Sequence, residues 1–505
     1  MSPAADSPAL SGDPRQLAQT LLAGFPAEVH VRAEDVATAV AAAGRVLIVL
    51  DDDPTGTQSV ADLPVLTQWE PADFRWALSL GAPAIYVLTN TRSLDPGEAA
   101  ERNRQVVTNA LTAADGAALA FVSRGDSTLR GHFPLEPEVI AETLRNRAGV
   151  HTDGVVIVPA FPDAGRVTIA GVHYMRSAAD ELTPIAETEF ARDATFGFAQ
   201  SGLANYVEEK SGGRLRASDV ICIDLKILRA GPVAIADAIE PATGETSIVV
   251  DAVCESDLRL LALGLHEAER RGKKLIYRVG PPFVRARIGQ GIRQPLTEAD
   301  AFGDTAPART GGLIVVGSHV AMTTRQLDAL TSAHAAARVI EIDVAALLGP
   351  DASSHLSLVV DRVAADLVGT DVIVQTSRVL VSTTDPADSL KIARTVSAAV
   401  VEVVQRVVAR TRPRFVIAKG GITSSDVAAL GLQIRHAIVR GPMLPGIVSL
   451  WQPVSGPATG IPYVVFAGNV GDDGSLVAVV RTLSAFAFSP KQPSLAIHSE
   501  PVADA

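Results

Sequence analysis

Short β-branched runs that alternate with longer Ala-rich stretches constrain the fold of this chain more than any other feature. Each run is long enough for a buried strand and too short for an ordinary helix, whereas the stretches between them have helical character. Repeated in that order, the pattern specifies βα units around a mostly parallel sheet. In the first half, strands are expected at Arg45 to Leu50, Ala84 to Thr89, Leu119 to Ser123, Gly154 to Pro159 and Ser247 to Asp251. A second series is expected at Leu313 to Gly317, Val339 to Ile342, Val379 to Ser382, Phe415 to Ala418 and Tyr463 to Phe466. The predicted fold class is α/β with two domains, each built on a mostly parallel sheet flanked by helices.

Length agrees with that division, because 505 residues exceed what one hydrophobic core usually organises. A segment rich in Gly, Pro, Thr and Arg, from Arg287 to Gly312, interrupts the pattern and reads as the break. The expected layout is an N-terminal domain over 13–290, a linker over 291–310 and a C-terminal domain over 311–490. Residues 1–12 and 491–505 have disorder-like composition. With a formal net charge of −12 and no basic stripe, neither nucleic acid nor an anionic membrane is an expected partner. No apolar run could span a bilayer and the start lacks a basic and apolar leader, so a cytoplasmic location is expected. Cys222 and Cys254 lie beside apolar strand-like sequence and read as small buried hydrophobes rather than a disulfide or metal pair.

Open α/β sheets bind ligands beyond the carboxyl ends of their strands, and there the chemistry-bearing residues fall. The first strand runs into Asp51-Asp52-Asp53-Pro54-Thr55-Gly56-Thr57, where adjacent carboxylates repel unless a cation or hydroxyl ligand uses the charge. The third ends in Ser123-Arg124-Gly125-Asp126-Ser127-Thr128-Leu129-Arg130-Gly131-His132. Guanidiniums, a carboxylate and hydroxyls in one loop suit a polyhydroxy acid. Arg92 stands among hydroxyls and an amide in Thr89 to Ser93, and Arg166 follows Ala160-Phe161-Pro162-Asp163-Ala164-Gly165. His173 reads as a structural hydrogen-bonding residue rather than a base.

The second half offers glycine turns in place of charges: Gly317-Ser318, Lys419-Gly420-Gly421-Ile422-Thr423 and Gly468-Asn469-Val470-Gly471. Such turns let backbone N–H groups approach phosphate oxygens. Neither a Walker A motif nor G-x-G-x-x-G is present. Three turns of this kind in one domain favour a nucleotide cradle, with Gly317, Ser318, Lys419, Gly420, Gly421, Thr423, Gly468, Asn469 and Gly471 as its residues.

Taken in order, Asp52-Asp53-Pro54-Thr55-Gly56, Asp126 to Gly131, Pro159 to Pro162 with Gly165-Arg166, Gly317-Ser318, Gly420-Gly421 and Gly468 to Gly471 resemble the motifs of the four-carbon acid sugar kinases. The resemblance runs from about Arg45 to Gly474. It implies an N-terminal domain for the sugar acid, a C-terminal domain for ATP with Mg²⁺, and phosphorylation of the terminal hydroxyl of a threonate, erythronate or oxo-tetronate. Departures are Pro54 for Leu, Arg124 for Lys, Val470 for Phe and Lys419 for Ser.

On that basis Asp53 or Asp126 is expected to orient and deprotonate the hydroxyl, with Asp52 holding substrate or metal. Arg130, Arg92, Arg124 and Arg166 are candidates for the substrate carboxylate, and Ser127, Thr128 and Thr55 for further substrate contacts. Metal ligands are not assigned, and the oligomeric state stays open, a homo-oligomer included. A closing motion about Arg287 to Gly312 is expected to bring the two sites together. Three alternatives stand beside this reading. One is a kinase for a branched oxo-sugar acid such as 3-oxo-isoapionate. Another is a Mg²⁺-dependent phosphatase of haloacid-dehalogenase type, with Asp51 as nucleophile and Asp53 as general acid. The third is a non-catalytic sugar-acid sensor.

Overall fold

The computed structural model describes residues 16–303, 305–378 and 386–488. The expected strand at Val379 to Ser382 and the two expected tails, 1–12 and 491–505, lie outside them; the strand described in that region is Val372–Thr376. The fold is α/β, as expected. Its spine is a 15-stranded sheet with the strand order Ile221–Ile223, Thr246–Val250, Gly154–Val158, Leu275–Val279, Ala118–Arg124, Arg45–Asp51, Ala84–Leu88, Leu63–Leu66, His436–Leu444, Ile447–Pro453, Tyr463–Phe466, Val416–Lys419, Leu313–Val316, Val372–Thr376 and Arg338–Ile342. Pairing is parallel from Ile221–Ile223 through Leu63–Leu66, and again from Tyr463–Phe466 through Arg338–Ile342.

The inner parallel strands are buried on both faces, which is why they read as continuous apolar runs, whereas the end strands Ile221–Ile223 and Arg338–Ile342 are partly exposed. Ile48, Leu50, Ile85, Val87 and Phe121 pack against Phe74, Val106 and Ile140 on one side. Leu47, Val49, Tyr86 and Val122 face Leu258, Leu261 and Leu265 on the other. Local signals end the helices. Pro96–Ala113 starts at Asp95, whose side chain accepts from Glu98 N, and Leu135–Ala148 stops at Gly149 in the left-handed region with Arg145 and Arg147 in its last turn.

The antiparallel centre joins the two parallel regions edge to edge. Leu63–Leu66 of the first half pairs with His436–Leu444 of the second, from His436 opposite Leu66 to Val439 opposite Leu63. The His436–Leu444 strand then forms a hairpin with Ile447–Pro453. Beside this junction Asp73 accepts from Arg435 and from His436 Nε2 at 2.7 Å, and the His436 ring stacks on Trp76 at 4.2 Å.

The stretch expected as a free linker is held at several points. Gln290 exchanges two hydrogen bonds with the Ala61 backbone, and Leu296 N donates to Pro442 O at 2.9 Å. Thr297 and Asp300 cap a short helix, Glu298–Phe302. A hinge here would have to break these bonds. A separate four-stranded antiparallel sheet, Gln16–Leu17, Glu181–Pro184, Val172–Arg176 and Arg166–Ile169, was not anticipated and carries Arg166. Cys222 also departs from expectation: it is exposed on an end strand of the large sheet, while Cys254 is half-buried, and both are free thiols. Among the described residues no helix is long and apolar enough to cross a membrane.

Candidate active site

The three carboxylates at the end of Arg45–Asp51, Asp51 to Asp53, are separated into different environments. Asp51 is 1 % exposed and pairs with Arg124; burial pushes its carboxyl up to about 7 against the pull of that guanidinium. Asp52 grips Arg92 through two hydrogen bonds, Nη2 to Oδ1 at 2.6 Å and Nε to Oδ2 at 3.2 Å. Asp53 alone opens to the space beyond the strand ends. Its Oδ1 accepts from Thr55 N at 2.9 Å and Thr55 Oγ1 at 2.5 Å, and its Oδ2 lies 3.7 Å from Arg92. Burial raises the Asp53 carboxyl, but Arg92 and Arg124 outweigh it and hold the group below the ordinary carboxylate range. Gly56 is required here, since a Cβ would strike Asp51 and Arg124.

The loop after Ala118–Arg124 is organised around Asp126. Its carboxylate accepts from Thr128 N at 3.2 Å, from the Thr128 hydroxyl and from Arg130 Nε at 2.7 Å. Burial opposes ionisation, yet Arg92, Arg130 and Thr128 keep the group well below the usual range. Behind the loop, Arg278 forms a buried ion pair with Glu136, which also accepts from Thr91 and Ser123. The Arg278 guanidinium fills the space where side chains at Gly125 and Gly131 would stand. His173, expected to be structural, is buried between Thr168 Oγ1 at 2.9 Å and Ser127 O at 2.8 Å. A carbonyl only accepts, so Nε2 carries the proton and Nδ1 accepts from the hydroxyl; desolvation lowers this imidazole to about 4.

Arg166 differs from the other arginines of the site. Its Nη1 donates to Ala164 O at 2.7 Å, its Nε is buried without a partner, and no carboxylate pairs with it among the described residues. Arg130, by contrast, is bonded to Asp126 and lies 3.7 Å from Asp193, and both guanidiniums stand over the Phe190 ring. A half-buried cation with spare donors is a site for an anion.

The glycine turns converge from the other half. Leu313–Val316, Val416–Lys419 and Tyr463–Phe466 are neighbours in the sheet, so their carboxyl ends lie side by side. A Cβ on Gly317 would strike Thr423, and one on Gly468 would come within 2.5 Å of Ser318 Oγ. Packing this close leaves no room for side chains. A Cβ on Gly421 would stand 2.8 Å from Asp53 Oδ2, so the two halves touch at that point.

One cleft of about 520 Å³ contains most of the residues expected from the sequence. Asp53, Thr55, Arg92, Asp126, Ser127, Thr128, Arg130 and Arg166 line one wall, and Gly317, Ser318, Gly420, Gly421, Thr423, Gly468 and Asn469 the other. Four expected residues stand elsewhere. Arg124 is 2 % exposed and spent on Asp51, Asp52 and the Asp53 carbonyl, so it cannot also grip a substrate carboxylate. Asp52 is buried as the partner of Arg92 and acts through it. Lys419 is buried beneath the turns, and Gly471 borders an adjoining groove. The phosphatase alternative fails at Asp51, which is buried against Arg124 where no substrate reaches it. Gln58 and Ile447 line the cleft unanticipated, and Phe161, Ile422 and Val470, which lie within the quoted motifs without an assigned role, line it too. Arg278 was also missed, although a charge inside the apolar run Leu275-Ile276-Tyr277-Arg278-Val279 is a visible sign of a buried partner.

Comparison with known proteins gives two domain matches, a sugar-binding N-terminal domain over residues 47–287 and a nucleotide-binding C-terminal domain over residues 313–476. A D-erythronate kinase of Heliobacterium modesticaldum is 27 % identical over 312 residues, 60 % of this chain and 64 % of that protein. A D-threonate kinase of Salmonella typhimurium is 29 % identical over 48 % of this chain and 49 % of its own length. With these two the chain is aligned over less than two thirds of the relative. A 3-oxo-tetronate kinase of Methylobacterium radiotolerans is 25 % identical over 80 % of this chain and 92 % of its own length. In fold, the crystal structure of Haemophilus influenzae protein HI1011 superposes with a TM-score of 0.57 at 18 % identity, covering 86 % of this chain and 99 % of that one. With both domain models matched in order across the cleft they enclose, and three relatives named as kinases of such acids, the chain belongs to the four-carbon acid sugar kinase family.

Proposed function

We propose that this protein transfers the γ-phosphoryl group of ATP to the terminal hydroxyl of a four-carbon sugar acid held in the cleft. The observation that carries the reading is the approach of Asp53 Oδ2 to Gly421, which sets an ionised carboxylate of the acceptor wall against a glycine turn of the nucleotide wall. In-line transfer needs an oriented hydroxyl on one side and a phosphate cradle on the other, with little water between them. Asp53 suits the orienting role better than Asp126, because both Asp126 oxygens are already taken by Thr128 and Arg130. Asp126 instead fixes Arg130 and faces Arg92, which Asp52 aligns.

Arg166 takes the substrate carboxylate in this scheme, since no protein carboxylate pairs with it among the described residues and Ala164 O engages only its Nη1, and Arg130 stands near it over the same Phe190 ring. Ser127, Thr128 and Thr55 stand near enough in the same wall to meet substrate hydroxyls. Among the described residues no group of three or more His, Cys, Asp or Glu side chains is placed to hold a metal ion. Mg²⁺ therefore fits as an ion that arrives on the nucleotide phosphates, keeps several waters and meets at most Asp53; it would neutralise charge on the transferred group. A closing motion about Arg287 to Gly312 would have to work against the backbone pairing that the halves already share.

ADP release measured with threonates, erythronates, oxo-tetronates and 3-oxo-isoapionate tests this reading. Turnover is expected with one stereochemical class. Tight binding of a sugar acid without ADP release would favour the sensor, and no turnover with any of them would reject the kinase.

A further inference from the structure

The turn that follows Tyr463–Phe466 is tied down from beneath by three buried side chains. Lys419 Nζ donates to Ala467 O at 2.8 Å and Thr323 Oγ1 to Gly468 O at 2.9 Å. Gln326 Nε2 donates to Val470 O at 3.0 Å and to Asp472 O at 2.7 Å. All three residues are 0 % exposed. In a trans peptide the N–H points opposite to the C=O. Inward carbonyls at 467, 468 and 470 therefore turn the N–H groups of Gly468, Asn469 and Gly471 outward. Among the described residues these amides donate to no protein acceptor, and Gly468 and Asn469 line the cleft. Successive outward amides form a concave nest for an anion.

Lys419 is unusual in such a place. It stands where the resemblance to the family breaks, and it is buried over the Phe466 ring with Nζ 3.9 Å from the centroid. Charged groups on the elements around it are engaged elsewhere: Asp426 with Ser397, Asp472 with Ser475 and Gly474 N, Asp473 with Arg325, and Arg378 with Ser318 O and Thr324. Asp328, on a flanking helix, makes no ion pair with it either among the described residues, and Arg481 on the other flanking helix is a cation that could offer it none. Desolvation alone lowers the ammonium to about 7. A buried charge without a counter-ion is costly until an anion arrives beside it.

Resting on the nucleotide-binding reading of this half, we infer that Lys419, Thr323 and Gln326 are positioning residues that build a polyphosphate nest, and that Lys419 takes up a solvent proton as the polyphosphate binds. The sign follows from the lysine's environment. Above pH 7 the free protein holds Lys419 increasingly neutral, whereas the bound anion favours the charged form, so affinity falls as pH rises.

Calorimetry of MgADP binding to the full chain between pH 7 and 9, in two buffers of different ionisation enthalpy, tests this. The wild type is expected to lose up to about tenfold in affinity per pH unit and to show buffer-dependent heat. Lys419→Met should bind about 10- to 100-fold more weakly at pH 7, with no pH slope and no buffer dependence. Thr323→Val and Gln326→Leu should weaken binding while keeping the slope. A wild type with pH-independent affinity and no proton uptake overturns the inference even if the Met variant fails to fold. Wild-type affinity and slope in Lys419→Met overturn it too, and unchanged affinity in both other variants removes the nest. No MgADP binding by the wild type overturns the nucleotide reading itself and this inference with it.

Discussion

On the proposed function, the two walls of the cleft hold anionic ligands by opposite means. The first wall is crowded with side-chain charge: Asp53, Asp126, Arg92, Arg130 and Arg166 face the cleft, backed by the buried pairs Asp51–Arg124 and Arg278–Glu136. The second is made of glycine backbone, and its charge lies underneath in Lys419. Side chains can be arranged to match one particular polyol, whereas amide nests recognise phosphate in any compound that carries it. If the proposed function holds, acceptor specificity belongs to the first wall and the second is generic.

Substitutions can break or sharpen that contrast. The largest expected effect is at Asp53: Asp53→Asn should lower kcat by roughly 10² to 10⁴ while leaving MgADP affinity nearly unchanged. Equal losses in both would show that the walls do not act separately. Next is Arg278→Met, which strands Glu136 in the interior and should cost about 3 to 5 kcal/mol of stability, read as a lower melting temperature together with a higher KM for the sugar acid. A normal KM in the folded variant would remove Arg278 from support of the Asp126 loop.

Arg166→Met should raise the sugar-acid KM about 10- to 100-fold, on the order of 1.5 to 3 kcal/mol, without loss of stability, because no protein carboxylate pairs with the native side chain among the described residues. A destabilised variant with unchanged KM would make Arg166 structural. The smallest effect concerns pH. Asp53 and Asp126 both lie below the ordinary carboxylate range, so they stay ionised down to pH 5 and should not give kcat an acid limb above it. His173 titrates near 4 when folded and near 6.5 when unfolded, so the unfolded chain binds the extra proton between those values and stability falls on acidification. His173's own share of this from pH 7 to 5 should be about 2 kcal/mol, opposed by Asp51, whose raised carboxyl takes up a proton in the folded state over the same range. The check is therefore the stability difference between wild type and His173→Gln, which should change by about 2 kcal/mol between those pH values.

Much of this was legible in the sequence because apolar runs and turn residues report local structure. The Tyr463–Phe466 strand and the five strands expected in the first half fall at or within a residue of their expected bounds, while Leu63–Leu66, Ile221–Ile223 and Leu275–Val279 were not expected. The pairing of Leu63–Leu66 with His436–Leu444 was not legible, since neither segment states its distant partner. Side-chain roles were harder still. Arg92, Arg124, Arg130 and Arg166 are chemically equivalent in the sequence, and only their carboxylate neighbours separate the buried Arg124 from the uncommitted Arg166. Lys419 read as a cleft residue because it adjoins the glycine pair, yet strand alternation turns it under the sheet onto Phe466.

The junction strand also bears on how the chain is made. Leu63–Leu66 is buried along its whole length, and Thr67 beside it bonds to Ile434, 367 residues further on. During synthesis the first half must therefore wait, with a bare apolar strand edge, until the ribosome has delivered nearly all of the second. Unpaired edges of that kind recruit other chains. Truncation between the halves should for that reason yield an N-terminal product that self-associates, and coexpressed halves should rescue one another.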